Sequence, residues 1–134
     1  MMILKLFIKV DVDELDDFTK AQIVSLILEK QTEKALEKLS KFYKIDTPQL
    51  SVGTIKGKRR TVYAVYVVSE RKIYALNSDI FFNPFVMLHE YYHHIRSKLG
   101  QHRGSERHAN MYAKAFIESY EKMVNQQNSS RLNK

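Results

Sequence analysis

His89 and His93 stand four residues apart with Glu90 between them, in the run His89-Glu90-Tyr91-Tyr92-His93. On a helix, residues four apart share a face, so both imidazoles can present a nitrogen to one metal ion. Glu90 sits beside them, placed to take a proton from a water that the metal activates. The pattern predicts metal-assisted hydrolysis built on one helical turn, with one zinc ion per chain. A tetrahedral catalytic zinc takes three protein ligands and leaves one position open, so two histidines do not complete the set.

The sequence offers two third ligands. Glu106 opens the run Ser105-Glu106-Arg107-His108-Ala109-Asn110. Ser105 reads as the N-cap of a second helix with a core stripe of Ala109, Tyr112, Ala113, Phe116, Ile117 and Tyr120. A turn after His93 brings Glu106 back toward the metal. Asn110, one helical turn further on, lies on the same face and can hold a ligand in its tautomer by a hydrogen bond. His102, in the basic loop Gln101-His102-Arg103-Gly104, is the alternative metal ligand. His108 diverges from Glu106 by about 200° around the helix, so both cannot reach one ion. His94 points away from the pair and reads as a surface or supporting residue.

At these residues the chain resembles the gluzincins, the zinc metallopeptidases whose third ligand is glutamate. It is similar to the small minigluzincins and to the ImmA/IrrE peptidase family. The ExxANxFA pattern of that family stands here as Glu106-Arg107-His108-Ala109-Asn110-Met111-Tyr112-Ala113, with Tyr112 in place of Phe. The resemblance runs from residue 73 to residue 116. It implies His89, His93 and Glu106 as zinc ligands, Glu90 as general base and Asn110 as support behind a ligand. It also implies peptide-bond hydrolysis on a peptide or protein substrate. With His102 as third ligand, the chain would instead be similar to the SprT-like, DNA-associated proteases.

These residues need helices to carry them. Asn83 is a good N-cap, Pro84 suits a first helical position, and Gly100 ends the run. Leu88, Tyr91, Tyr92, Ile95 and Leu99 recur at helical spacing as a buried stripe, with Val86, His89, Glu90, His93 and Ser97 along another face. Upstream, Asp13 or Asp16 begins a long helix reaching about Tyr43. Its apolar stripe is Phe18, Ile23, Ile27, Leu28, Ala35, Leu36, Leu39 and Phe42. After Pro48, short strands are predicted over 50–55, 61–68 and 72–77, with turns at 56–60 and 69–71, as an antiparallel meander. Residues 1–11 read as an extra strand rather than a signal peptide. The expected class is α+β, with a long N-terminal helix, a small antiparallel sheet, the histidine helix and a glutamate-bearing C-terminal helix. One domain covers 1–124, and 125–134 form a polar, frayed tail.

Composition narrows the alternatives. There are 134 residues and no cysteine, so a disulfide framework and a thiolate metal site are excluded and a cytoplasmic location is expected. No apolar run approaches the roughly twenty residues of a membrane helix, so no membrane partner is expected. The formal net charge is +7, and its densest cluster is Lys56-Gly57-Lys58-Arg59-Arg60. A solvated loop or attraction to acidic substrates accounts for it, and nucleic acid is not the favoured partner. A second class is a catalytically idle, metal-binding regulatory protein. Glu90 argues against that class, because a structural metal needs no base.

Overall fold

The first described helix, α1 (Asp17–Leu28), starts where Asp16 accepts the Thr19 N–H at 2.7 Å. The computed structural model describes residues 15–53, 63–98 and 106–132. The long helix expected to reach Tyr43 is two helices. Helix α1 stops at Glu29, Lys30 takes a left-handed conformation (φ 66°), and α2 follows (Thr32–Tyr43). The sequence hides this break because lysine stands where glycine usually marks a left-handed residue. The Gln31 N–H donates to the Leu26 carbonyl at 2.8 Å, and the buried Thr32 hydroxyl donates to the Phe81 carbonyl, also at 2.8 Å. These bonds satisfy the interrupted backbone and anchor the turn.

The break also shifts the phase of the apolar stripe. Ile23, Ile27, Ala35, Leu36 and Leu39 are buried, but Phe18, Leu28 and Phe42 are exposed, against expectation. A stripe continuous through residue 30 cannot survive a chain reversal there, because each helix turns its own face to the core.

Three short strands follow: β1 (Gln49–Val52), β2 (Ala64–Val67) and β3 (Lys72–Ala75). The expected antiparallel meander is instead a mixed sheet of order β1-β3-β2. Strands β2 and β3 form an antiparallel hairpin through a single 3-10 turn (Val68–Glu70) and a left-handed Arg71, whereas β1 pairs parallel to β3. Alternation identifies strands but not their partners. Here β1 lies beside β3 rather than beside its neighbour in sequence, so β3 is paired on both edges, with Ile73 and Ala75 buried.

This order leaves β2 at an edge. The Leu76 N–H donates to the Tyr63 carbonyl at 2.8 Å, which places Tyr63–Leu76, Val65–Tyr74 and Val67–Lys72 in the hydrogen-bonded positions of the ladder. Ala64 and Tyr66 alternate with them. Their backbone N–H and C=O groups therefore point away from β3, toward an edge that no described strand pairs.

A one-turn helix, α3 (Ser78–Phe81), leads into α4 (Pro84–Lys98). The Asn83 carboxamide accepts the Val86 N–H at 3.1 Å, with Pro84 at the first helical position, as the sequence predicts. Met87, Leu88, Tyr91 and Ile95 are buried, and Tyr92 is half-buried. The last helix, α5 (Glu106–Leu132), runs 27 residues, continuing as helix through 125–132 where a frayed tail was expected. Ala109 and Ala113 are fully buried, and their small side chains allow close approach to α4 beside buried Tyr112 and Phe116. Ile117 and Tyr120 pack against this core half-buried. Helix α4 lies on β2 and β3, with α5 across it and α1 beyond. The class is α+β, and among the described residues no helix is long and apolar enough to cross a membrane. The expected strand at 1–11, the basic cluster at 56–60, Leu99, Gly100, His102 and Ser105 lie outside the described residues.

Candidate metal centre

Helix α4 carries two polar pairs, each at i, i+4 spacing and offset by one residue. His89 and His93 face α5, while Glu90 and His94 face β2. Because α4 is regular throughout, 100° of rotation per residue sends the two pairs to neighbouring elements.

The first pair meets Glu106, the opening residue of α5. His89 Nε2 lies 2.6 Å from Glu106 Oε2, and His93 Nε2 lies 3.0 Å from Glu106 Oε1. One ligand atom from each of the three residues falls within 4.8 Å of the others, and the two rings are 5.2 Å apart at 72°. The group can hold a metal ion. On the far side of the ring, His89 Nδ1–H donates to Asn110 Oδ1 at 2.8 Å. That bond fixes the orientation of the ring and leaves Nε2 as the ring atom that faces the Glu106 carboxylate. Nε2 and the carboxylate oxygen stand at hydrogen-bond distance, and a metal ion held between them would take the place of the shared proton. In a tetrahedral site with bonds near 2.0–2.1 Å, ligand atoms stand roughly 3.3 Å apart, about 0.7 Å more than in the His89 contact and about 0.3 Å more than in the His93 contact. The two imidazoles and one carboxylate can therefore hold a metal ion.

The electrostatics agree. Burial lowers the pKa of His93 below the usual histidine value, and this outweighs the opposing charge of Glu106. A neutral imidazole is the form that binds metal. Glu90 is largely buried, its side chain 12 % exposed, and its Oε2 lies 3.8 Å from His89 Nε2, beside the ligands rather than among them. Burial first, and the Glu106 charge second, push its carboxyl up to about 8, while a Tyr66 N–H bond works against the rise. A dication between His89, His93 and Glu106 reverses the sign of the nearby charge and favours the Glu90 carboxylate.

His94 departs from expectation. It is wholly buried rather than superficial, with Nδ1 2.8 Å from the Tyr66 hydroxyl and Nε2 2.7 Å from the Asp46 carbonyl. Sequence reasoning missed Tyr66 and Asp46 as its partners. A signal was present, because Glu90 and His94 repeat the spacing of His89 and His93. His108 is exposed on α5 and takes no place among the three grouped residues.

Glu106 and His102 make opposed predictions. Glu106 stands on a helix whose next turn brings Asn110 to the His89 ring, so both groups are held by one rigid element. Glu106→Ala should weaken metal affinity by more than about 100-fold, and His102→Ala by less than about tenfold, read by competition for Zn(II) against a chromophoric chelator. A larger loss in His102→Ala would assign the third ligand to the loop and make Glu106 a bystander.

Compared with known proteins, the chain matches no family model, no curated protein and no solved structure.

Proposed function

We propose that this chain is a zinc-dependent metallopeptidase, with His89, His93 and Glu106 as the zinc ligands and Glu90 as general base. The observation that carries the proposal is a buried carboxylate, Glu90, directly beside a two-histidine, one-carboxylate group. That donor set and neighbour suit zinc used for hydrolysis. Zinc bound there supplies Lewis acidity, polarising a carbonyl and making water nucleophilic near neutral pH.

The remaining work belongs to the chain's own groups. The Glu90 carboxylate accepts the proton of the attacking water and returns it to the leaving amine, which needs a pKa that swings across neutrality with the local charge. Its position against β2 supports that role. Asn110 keeps the His89 ring in the ligating orientation. Among the described residues the outer edge of β2 is unpaired, and it offers the Ala64 N–H and C=O and the Tyr66 C=O to an extended peptide. Pairing of this kind aligns a main chain without demanding particular side chains. An idle, purely structural metal site gives no reason to bury a carboxylate one residue from a ligand, where desolvation opposes its charge.

Metal removal tests the proposal. Hydrolysis of an unstructured peptide library should disappear after dialysis against a strong chelator and return on adding about one zinc per chain. Cleavage that persists in the chelated protein, or a zinc-loaded protein that cleaves nothing in the library, would count against a peptidase.

A further inference from the structure

Helix α2 (Thr32–Tyr43) contributes none of the grouped residues, yet it is bonded to both helices that carry them. The Ser40 hydroxyl lies 2.9 Å from the Tyr91 hydroxyl of α4, and the Tyr43 hydroxyl lies 2.8 Å from the Tyr112 hydroxyl of α5. All four residues are buried, none more than 4 % exposed. Ser40 and Tyr43 are three residues apart, so the two bonds leave one face of α2 about a turn apart. The Tyr43 and Tyr91 rings, with centroids 6.4 Å apart, close the group. Burial raises the pKa of the Tyr91 and Tyr112 hydroxyls and keeps both protonated.

The two tyrosines stand behind the ligand groups. At about 100° per residue, Tyr91 lies about 200° from His89 in one sense and from His93 in the other, opposite the midline of the pair. Tyr112 lies about 200° from Asn110 and about 120° from Glu106. Each ligand helix is therefore tied to α2 by the face turned away from its ligand groups. Ala109 and Ala113 let α4 and α5 approach closely, but small apolar contacts resist rotation weakly, whereas a hydrogen bond is directional. Rotation matters here. A ligand atom stands roughly 6 Å from its helix axis, so a turn of about 10° moves it by about 1 Å. Metal–ligand distances tolerate only about 0.2 Å. Alanine and phenylalanine would fill the same space without burying four hydroxyls, so packing alone does not explain these side chains.

We infer that Ser40, Tyr43, Tyr91 and Tyr112 are positioning residues, through which α2 sets the rotation of α4 and α5 and so the geometry of the metal centre. The inference rests on the reading of His89, His93 and Glu106 as ligands, and not on peptide hydrolysis. It differs from ordinary core packing in one measurable way. Removing both hydroxyls of a pair leaves no orphaned group and is nearly neutral for stability, but it does not restore the directional tie.

The test uses the full-length chain as Ser40→Ala, Tyr91→Phe, their double variant and Tyr112→Phe. Three quantities are read: zinc affinity by competition against a chromophoric chelator, the visible spectrum of the Co(II) form, and denaturant unfolding of the metal-free protein. Each single variant should bind zinc about tenfold more weakly, the worth of one buried hydrogen bond, and should shift the Co(II) bands. Ser40→Ala and Tyr91→Phe should also each unfold at lower denaturant. The double variant should regain most of the parent's unfolding midpoint while keeping the weakened affinity and the shifted bands. An affinity that recovers together with the midpoint would overturn the inference, because it would show core packing and nothing more. So would Co(II) bands identical to the parent's in every variant. A parent that binds neither metal would instead remove the ligand assignment. The His89 ring nitrogen signals of the metal-free proteins then decide whether α2 sets the rotation. They should move in Tyr112→Phe as the bond to Asn110 is disturbed, and unchanged signals would overturn the inference.

Discussion

Glu90→Gln should leave zinc content unchanged and lower peptide hydrolysis by about 100-fold or more, because an amide of the same shape cannot accept the water proton. The substitution has a second effect that needs no substrate. In the metal-free protein the Glu90 carboxyl is pushed up to about 8 from a usual value of 4.5. A carboxyl whose folded pKa is raised keeps its full stability below the unfolded pKa and loses it as pH rises through the folded one. Metal-free parent protein should therefore lose stability between about pH 4.5 and pH 8, by up to about 5 kcal/mol. Glu90→Gln should flatten that decline and be the more stable protein at pH 9. Denaturant unfolding at pH 5 and pH 9, with and without zinc, measures it. A parent and variant with the same pH dependence would show that Glu90 does not sit in the environment described, and undiminished hydrolysis in the variant would remove it as base.

His93→Ala is expected to raise the dissociation constant for zinc by roughly 1000-fold or more, leaving His89 and Glu106 as an incomplete pair. The fold should persist, since His93 is only partly buried and belongs to no part of the hydrophobic core. Circular dichroism with metal analysis after dialysis separates the two effects. Unchanged zinc content in a folded His93→Ala protein would contradict the ligand assignment.

How much of this was legible in the sequence depended on how local the cause was. The α4 start at Asn83 and Pro84 could be read because capping chemistry acts over a few residues, and the Ala109–Phe116 stripe because it follows helical spacing. The proximity of Glu106 and Asn110 to the histidines was legible for the same reason: each lies on a regular helix, one turn apart. The left-handed Lys30 was not legible, since lysine stands where glycine would mark the conformation. Nor was the parallel pairing of β1, because alternation marks a strand without naming its partner. His94 was misread because spacing from His89 alone shows where a side chain does not point. Its partners, Tyr66 and the Asp46 carbonyl, come from other elements.

The spacing of the grouped residues along the chain has a consequence for how the protein assembles. His93 and Glu106 are thirteen residues apart, whereas the contact that docks α5 on the start of α1, Ser119 to Asp17 at 2.8 Å, spans 102 residues. Closing the longer loop costs roughly 2 kcal/mol more in chain entropy than closing the shorter one. The α4–α5 hairpin is therefore the cheaper structure to form from an unfolded chain, and it already contains all three grouped residues and Asn110. A metal ion present during folding can bind this hairpin before the sheet and α1 are in place. Such binding would make the hairpin a nucleus and raise the folding rate, with α1 docking on α5 last.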